Sequence, residues 1–136
     1  MIIVDASVAF KWFSLEEEYR EQALQLLTKH LEKKIPILVP DLFFYELANA
    51  WATKVLLPLD QTHDYLNNLK TFQLQIVPMT FMLLDKAVDF SKQYNVSVYD
   101  ASYAVLAEEK GCQLITADKK FVKHAHLKYI KLLQKL

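Results

Sequence analysis

Apolar and polar positions along this chain of 136 residues switch repeatedly between the strand period and the helix period. Met1 to Val4 is apolar and mostly β-branched, which predicts a central strand. Asp5-Ala6-Ser7-Val8 turns it into a short helix through Phe13, with Asp5 or Ser7 as cap. Leu15 to Lys34 reads as a charged amphipathic helix. Its apolar stripe is Ala23, Leu24, Leu26, Leu27 and Leu31, and Lys29, Lys33 and Lys34 favour its C-terminal end. Ile35 to Val39 predicts a second strand. Pro40-Asp41 then opens a helix that is apolar nearly all round as far as Val55, with Glu46 its only carboxylate after the cap and Asn49 three residues on. Leu59-Asp60 starts a helix through Thr71, Leu74 to Val77 a third strand stopped by Pro78, and Thr80 caps a helix from Phe81 to about Tyr94. Val96 to Ala107 is strongly apolar. Ser97 is its N-cap and Asp100 lies three residues on, as in a capping box. Gly111, the only glycine, follows as a C-cap signal. Cys112 to Thr116 predicts a buried strand ended by Ala117-Asp118. Asp118 to Phe121 opens a last short helix, and Leu127 to Leu133 reads as an edge strand.

Strands alternating with helices predict an α/β fold: a three-layer α/β/α sandwich on a mostly parallel sheet, with right-handed connections. No repeat, low-complexity tract or linker interrupts residues 1–136, so the expectation is a single domain of a size that buries a real core. Apolar residues make up 53%, which excludes a disordered chain. Cys112 is the only cysteine, so no internal disulfide forms, and it reads as a small core residue. Met1-Ile2-Ile3-Val4 meets Asp5 too soon for a signal peptide, and no apolar run reaches the ~20 residues of a membrane span. The expected location is therefore the cytoplasm. Sixteen basic and sixteen acidic side chains leave no net charge. A polyanion would have to be attracted by a local patch or by bound cations. All the basic residues but Arg20 are lysine, which meets phosphate as a point charge.

Four acids stand apart from the solvated ones. Asp5 and Asp118 follow strands, and Asp100 opens a helix. In an open parallel sheet these places lie at the carboxyl edge of the strands, where ligands bind. Glu46 lies one turn into a helix that starts at the same edge, and helical side chains lean toward the N-terminus. Capping alone explains each acid taken singly. As a set they would repel one another unless protonated or bound to cations, and oxygen-only donors suit Mg²⁺ or Mn²⁺. Such ions activate water and stabilise a phosphoryl displacement.

Val4-Asp5-Ala6-Ser7, Tyr45-Glu46-Leu47-Ala48-Asn49, Tyr99-Asp100-Ala101-Ser102-Tyr103 and Thr116-Ala117-Asp118, in that order over nearly the whole chain, resemble the PIN domain. The closest likeness is to the VapC-type toxins of toxin–antitoxin pairs. The resemblance implies a metal-dependent endoribonuclease with Asp5, Glu46, Asp100 and Asp118 as catalytic metal ligands for Mg²⁺ or Mn²⁺. It implies RNA as substrate, a cognate antitoxin protein as partner and a homodimer. Ser7, Asn49 and Thr116 fall where such proteins place polar neighbours of the site.

Other signals carry less. His124 and His126, with one cysteine, make no zinc framework. Lys119, Lys120 and Lys123 beside Asp118 read as solvated surface, with phosphate guidance as the second use; Lys11 is similar. Phe43, Phe44 and Trp51 read as core, while Trp12, Phe13, Trp51 and Leu56-Leu57 could also line a partner groove. A phosphoryl-accepting receiver would need an acid after the third strand, where Pro78-Met79-Thr80 stands. A phosphohydrolase with an Asp nucleophile would need an acid at Ser7. The competing readings are a non-catalytic interaction module on the same fold and an RNA-processing nuclease with no toxin role.

Overall fold

The computed structural model describes all 136 residues. Five strands form one wholly parallel sheet: β1 (Ile2–Val4), β2 (Ile37–Pro40), β3 (Gln75–Val77), β4 (Gln113–Thr116) and β5 (Ile130–Leu132), in the order β3-β2-β1-β4-β5. Ile3 is in register with Leu38 on one side and Leu114 on the other. The chain therefore runs outward from β1 to β3, returns to the far side of β1 at β4, and continues to β5. Right-handed connections put the helices before and after that reversal on opposite faces, which is the expected three-layer sandwich. Ile3, Val4, Ile37 and Val39 are wholly buried, because helices cover both faces.

Seven helices make the outer layers: α1 (Ala6–Phe13), α2 (Arg20–Leu31), α3 (Leu42–Asn49), α4 (Leu59–Thr71), α5 (Phe81–Tyr94), α6 (Val98–Lys110) and α7 (Lys119–Ala125). The buried pivot is α6. Every residue from Ala101 to Ala107 is buried, and the helix packs on β1, β2, β4 and α5. Three alanines in that run let it approach the sheet closely. Ser102, polar at this depth, donates to its own helix at Val98 O (2.7 Å). Gly111 has φ 61°, and the N–H of Cys112 reaches back to Ala107 O, closing the helix as its lone glycine predicts.

The long helix expected from Leu15 begins only at Arg20 and ends at Leu31. Tyr19 is left-handed (φ 59°), Leu15 is exposed, and Glu17 is drawn back to Lys11 (3.1 Å). Three successive glutamates, Glu16 to Glu18, offered no apolar face to hold a helix there. The apolar helix from Leu42 widens into a π-turn at Ala50–Lys54. Phe43, Leu47 and Trp51 are buried at successive turns, while Tyr45, Val55 and Leu56 are exposed. Trp12 belongs to the core too, with its indole N–H on Ala23 O (2.9 Å), so neither tryptophan lines a partner groove. Lys11 is buried against Glu17, which removes it from the lysines free to meet phosphate. Cys112 precedes β4 and is half-buried. The last strand is shorter than Leu127 to Leu133, and β5 is indeed an edge.

One polar tie was invisible in the pattern. Ile37 N–H donates to His30 Nδ1 (3.0 Å), which leaves Nε2–H to donate to Phe72 O (2.9 Å). A single neutral imidazole thus joins the end of α2, the start of β2 and the end of α4. Replacing His30 with alanine strands a donor and an acceptor. The variant should lose about 2 kcal/mol of stability in a denaturant melt, the scale for unpaired buried groups. An unchanged midpoint would show that the ring does not hold these elements.

Candidate functional site

The parallel registers bring the ends of β1, β2 and β4 to one edge of the sheet, and the four acids occupy it from four directions. Asp5 follows β1 and caps α1. Its Oδ1 accepts the N–H of Ser7 (3.1 Å) and Val8 (3.3 Å) and the Ser7 hydroxyl (2.5 Å). Oδ2 accepts the Thr116 hydroxyl (2.5 Å). Ser7 Oγ in turn accepts Ala117 N–H (2.9 Å), and Thr116 Oγ1 accepts Asp118 N–H (3.1 Å). The carboxylate is thus locked to two strands and to the turn that carries the next acid. Ser7 and Thr116, expected as site neighbours, are the residues that position Asp5.

Asp118 caps α7, accepting Phe121 N–H (3.1 Å). Glu46, on α3, accepts the hydroxyl of Tyr103 (2.6 Å). Asp100 is different. Ser97, not Asp100, caps α6, taking the Asp100 N–H (3.0 Å). The reciprocal bond of a capping box is not made, and the Asp100 carboxylate accepts no hydrogen bond within the protein.

Burial pushes the Asp5 carboxyl up to about 7, with the Asp100 charge adding to it and the Ser7 and Thr116 hydroxyls opposing it. Glu46 is raised by burial and by Asp100, against the Tyr103 hydroxyl and Lys54. Asp100 is raised by burial and by Asp118. Asp100 is therefore the hub through which all four acids feel one another. Tyr103 is itself pushed up, first by burial and then by Glu46, so its proton stays in the bond. The oxygen-only donors fit Mg²⁺ or Mn²⁺ and not zinc. As the side chains stand, no three acids, histidines or cysteines are gathered closely enough to hold one ion. Asp100 is the one acid of the four whose carboxylate no hydrogen bond holds in place.

A cleft of about 250 Å³ opens beside Glu46, lined by Ala6, Ser7, Phe10, Asn49 and Lys54 among others. Asn49 is exposed there, with its side chain near Thr53 (3.5 Å). Two residues of this site were missed in the sequence. Tyr103 is three residues after Asp100, on the same helical face, which was a usable signal. Lys54 is two turns beyond Glu46 and was hidden in an apolar segment. Lys119, Lys120 and Lys123 are exposed on α7, and His124 and His126 join no metal-holding group.

A family model described as PIN domain matches residues 2–127. Ribonuclease VapC3 of Pyrobaculum aerophilum is 33% identical over 122 residues, which cover 87% of this chain and 89% of that protein. Among solved structures, a toxin–antitoxin complex from Klebsiella pneumoniae superposes with TM-score 0.72 at 16% identity, covering 98% of each chain. VapC20 from Mycobacterium tuberculosis, a toxin that cleaves the sarcin–ricin loop, gives TM-score 0.71 at 15% identity, covering 90% of this chain and 94% of that one. At such identities the two structures share the fold.

The crowded carboxylates set a pH dependence. Asp5 is raised from 3.8 to about 7, so the folded form binds its proton more tightly than the unfolded form. Stability is full below about pH 4 as far as this group is concerned, and it is lost as pH rises toward 7. Asp100→Asn removes the hub charge without breaking any side-chain bond. With chelator at pH 7.5 it should melt higher than wild type, by ~1 kcal/mol once screening at the half-exposed Asp100 is allowed for. The gain should shrink at pH 5. A variant that melts lower at both pH values would show that the acids do not repel.

Proposed function

The chain belongs to the PIN domain family, and on that footing we propose that it is a metal-dependent endoribonuclease, the toxin of a toxin–antitoxin pair. The observation that carries the proposal is the coupling of Asp5, Glu46 and Asp118 through Asp100 at the carboxyl edge of the sheet. Capping accounts for Asp5 and Asp118 singly, but Asp100 caps nothing and only adds repulsion, which a cation site would use. The likeness to a VapC ribonuclease points to RNA as the substrate, and the place of action proposed with it is the cytoplasm, where no helix here would need to cross a membrane.

Asp5, Glu46, Asp100 and Asp118 are the residues that would hold Mg²⁺ or Mn²⁺. A divalent cation at such a site supplies an activated water and neutralises charge on the phosphoryl oxygens. The protein's own part is positioning. The Ser7 and Thr116 hydroxyls hold Asp5 in one rotamer, and the Tyr103 hydroxyl holds Glu46. No hydrogen bond ties the Asp100 carboxylate, which leaves it to complete the set. Lys54, whose charge is felt at Glu46, offers the cleft a cation for an incoming phosphate.

The antitoxin and the homodimer belong to the same proposal. Exposed Tyr45, Leu56 and Leu59 mark apolar surface near α3 and α4 for a partner chain to cover. Tryptophans 12 and 51 do not contribute.

Two experiments test this reading. With Mg²⁺ or Mn²⁺, wild type should cleave unpaired RNA and chelator should abolish cleavage. Asp100→Asn should lose at least 100-fold in rate, the order expected when a site loses one electrostatic stabiliser. Wild-type cleavage by Asp100→Asn in a clean preparation would overturn the assignment. Expressed alone the protein should arrest growth, and co-expression with its antitoxin should relieve the arrest. Normal growth in a host whose RNA is a substrate would remove the toxin role and leave an RNA-processing nuclease.

A further inference from the structure

Charge is not evenly spread along this neutral chain. Residues 111–136 carry six lysines, Lys119, Lys120, Lys123, Lys128, Lys131 and Lys135, against the single acid Asp118. The preceding 110 residues carry ten basic and fifteen acidic side chains. None of the six lysines is in an ion pair; the protein's two pairs are Lys11–Glu17 and Lys34–Glu32. Five of the six are exposed and Lys131 is half-buried. Repulsion among them is left uncompensated within the molecule.

The fold strings these lysines along α7 and β5, from the acid edge outward. Lys119 and Lys120 stand in the first turn of α7, whose cap is Asp118. Leu132 of β5 is in register with Thr116, the residue bonded to Asp5, one strand spacing of ~4.8 Å away. The turn Leu133–Lys135 then carries Lys135 past the same edge. Between α7 and β5 lies a cleft of about 380 Å³, lined by Val122, His126, Lys128, Lys131, Leu132 and Lys135 among others, with no acidic side chain. Its size is in the range of small-ligand sites, about 300–1,000 Å³. Val122, Ile130 and Leu132 give it an apolar floor and the lysines a cationic rim. A larger cleft of about 460 Å³ on α5 and α6 contains Asp89, Glu108 and Glu109 and would repel a polyanion.

We propose that the α7–β5 cleft binds the single-stranded RNA flanking the scissile phosphate. The lysines take backbone phosphates, and the apolar floor takes one base. This rests on the ribonuclease reading and adds to it a substrate track leading away from the acids along the outer strand. An anionic membrane surface would also meet lysines, but a lipid patch has no reason to run into the acid edge.

The test compares the full chain with Lys128→Gln/Lys131→Gln/Lys135→Gln and with a control of equal charge change, Lys29→Gln/Lys70→Gln/Lys86→Gln. The probe is a 20-nucleotide unpaired RNA, bound in chelator and cleaved with Mg²⁺. Three lost phosphate contacts should make the slope of log affinity against log salt shallower by about 2, at ~0.7 per contact. Cleavage efficiency should fall about tenfold through KM, because these contacts hold substrate and transition state alike. The control should match wild type. Equal slopes and equal KM for the cleft variant, with wild type still cleaving, would overturn the track and leave the ribonuclease standing. Loss of binding to phosphatidylserine vesicles with unchanged RNA binding would assign the face to lipid and also overturn it. Failure of wild type itself to bind or cut RNA would remove both readings.

Discussion

The rest of the structure depends on the carboxylate of Asp5, buried at the point where the sheet reverses direction. A buried charge is tolerated only when it is hydrogen-bonded or neutralised. Asp5 has both remedies within reach: four hydrogen bonds and a carboxyl raised to about 7. Those bonds also do structural service. They start α1, tie β1 to the end of β4 through Thr116, and through Ser7 and Thr116 fix the turn that presents Asp118. One residue thus couples the topological switch of the sheet to the shape of its acidic edge.

The opposite wall is set by α6. Its buried run from Ala101 to Ala107 leaves it no freedom to roll, since small side chains hold it close to β1, β2 and β4. Asp100 and Tyr103 are one turn apart on this rigid element, so they are delivered together. Tyr103 reaches across to Glu46 on α3, which brings a third layer of the sandwich into register with the edge. The acids therefore come from elements far apart in sequence yet are held by short, local constraints.

Much of this was legible in the chain. Parallel strands were announced by apolar runs between helical patterns, and Gly111 closed α6 as its position required. The edge positions of Asp5, Asp100 and Asp118 followed from strand and helix boundaries alone. What was not legible depended on contacts between distant segments. The start of α2 is set by left-handed Tyr19 and by the pull of Lys11 on Glu17, neither visible as periodicity. Helix and loop ends at Lys33, Gln73 and His126 use left-handed residues other than glycine, so they carried no composition signal. His30 looked like one more polar residue on a charged helix, although it joins three elements. The apolar excess of α3 misled for a related reason. Phe43, Leu47 and Trp51 recur every four residues, and the core absorbs them.

The four acids divide by how they are held, and the division has mechanical meaning. Asp5, Glu46 and Asp118 each accept hydrogen bonds that fix their direction. Asp100 accepts none, yet its charge is felt at Asp5 and Glu46 and it feels Asp118. Were all four locked, the edge could not adjust its geometry to a cation, and octahedral Mg²⁺ tolerates little misfit. Were none locked, ordering four side chains would offset much of the binding energy. Three carboxylates held by hydrogen bonds and one left unheld on a rigid helix lie between these limits. The repulsion that makes the edge costly for folding is the same interaction that a bound cation would relieve. On the proposed function, instability at the edge and affinity for a cation would be two readings of one electrostatic energy.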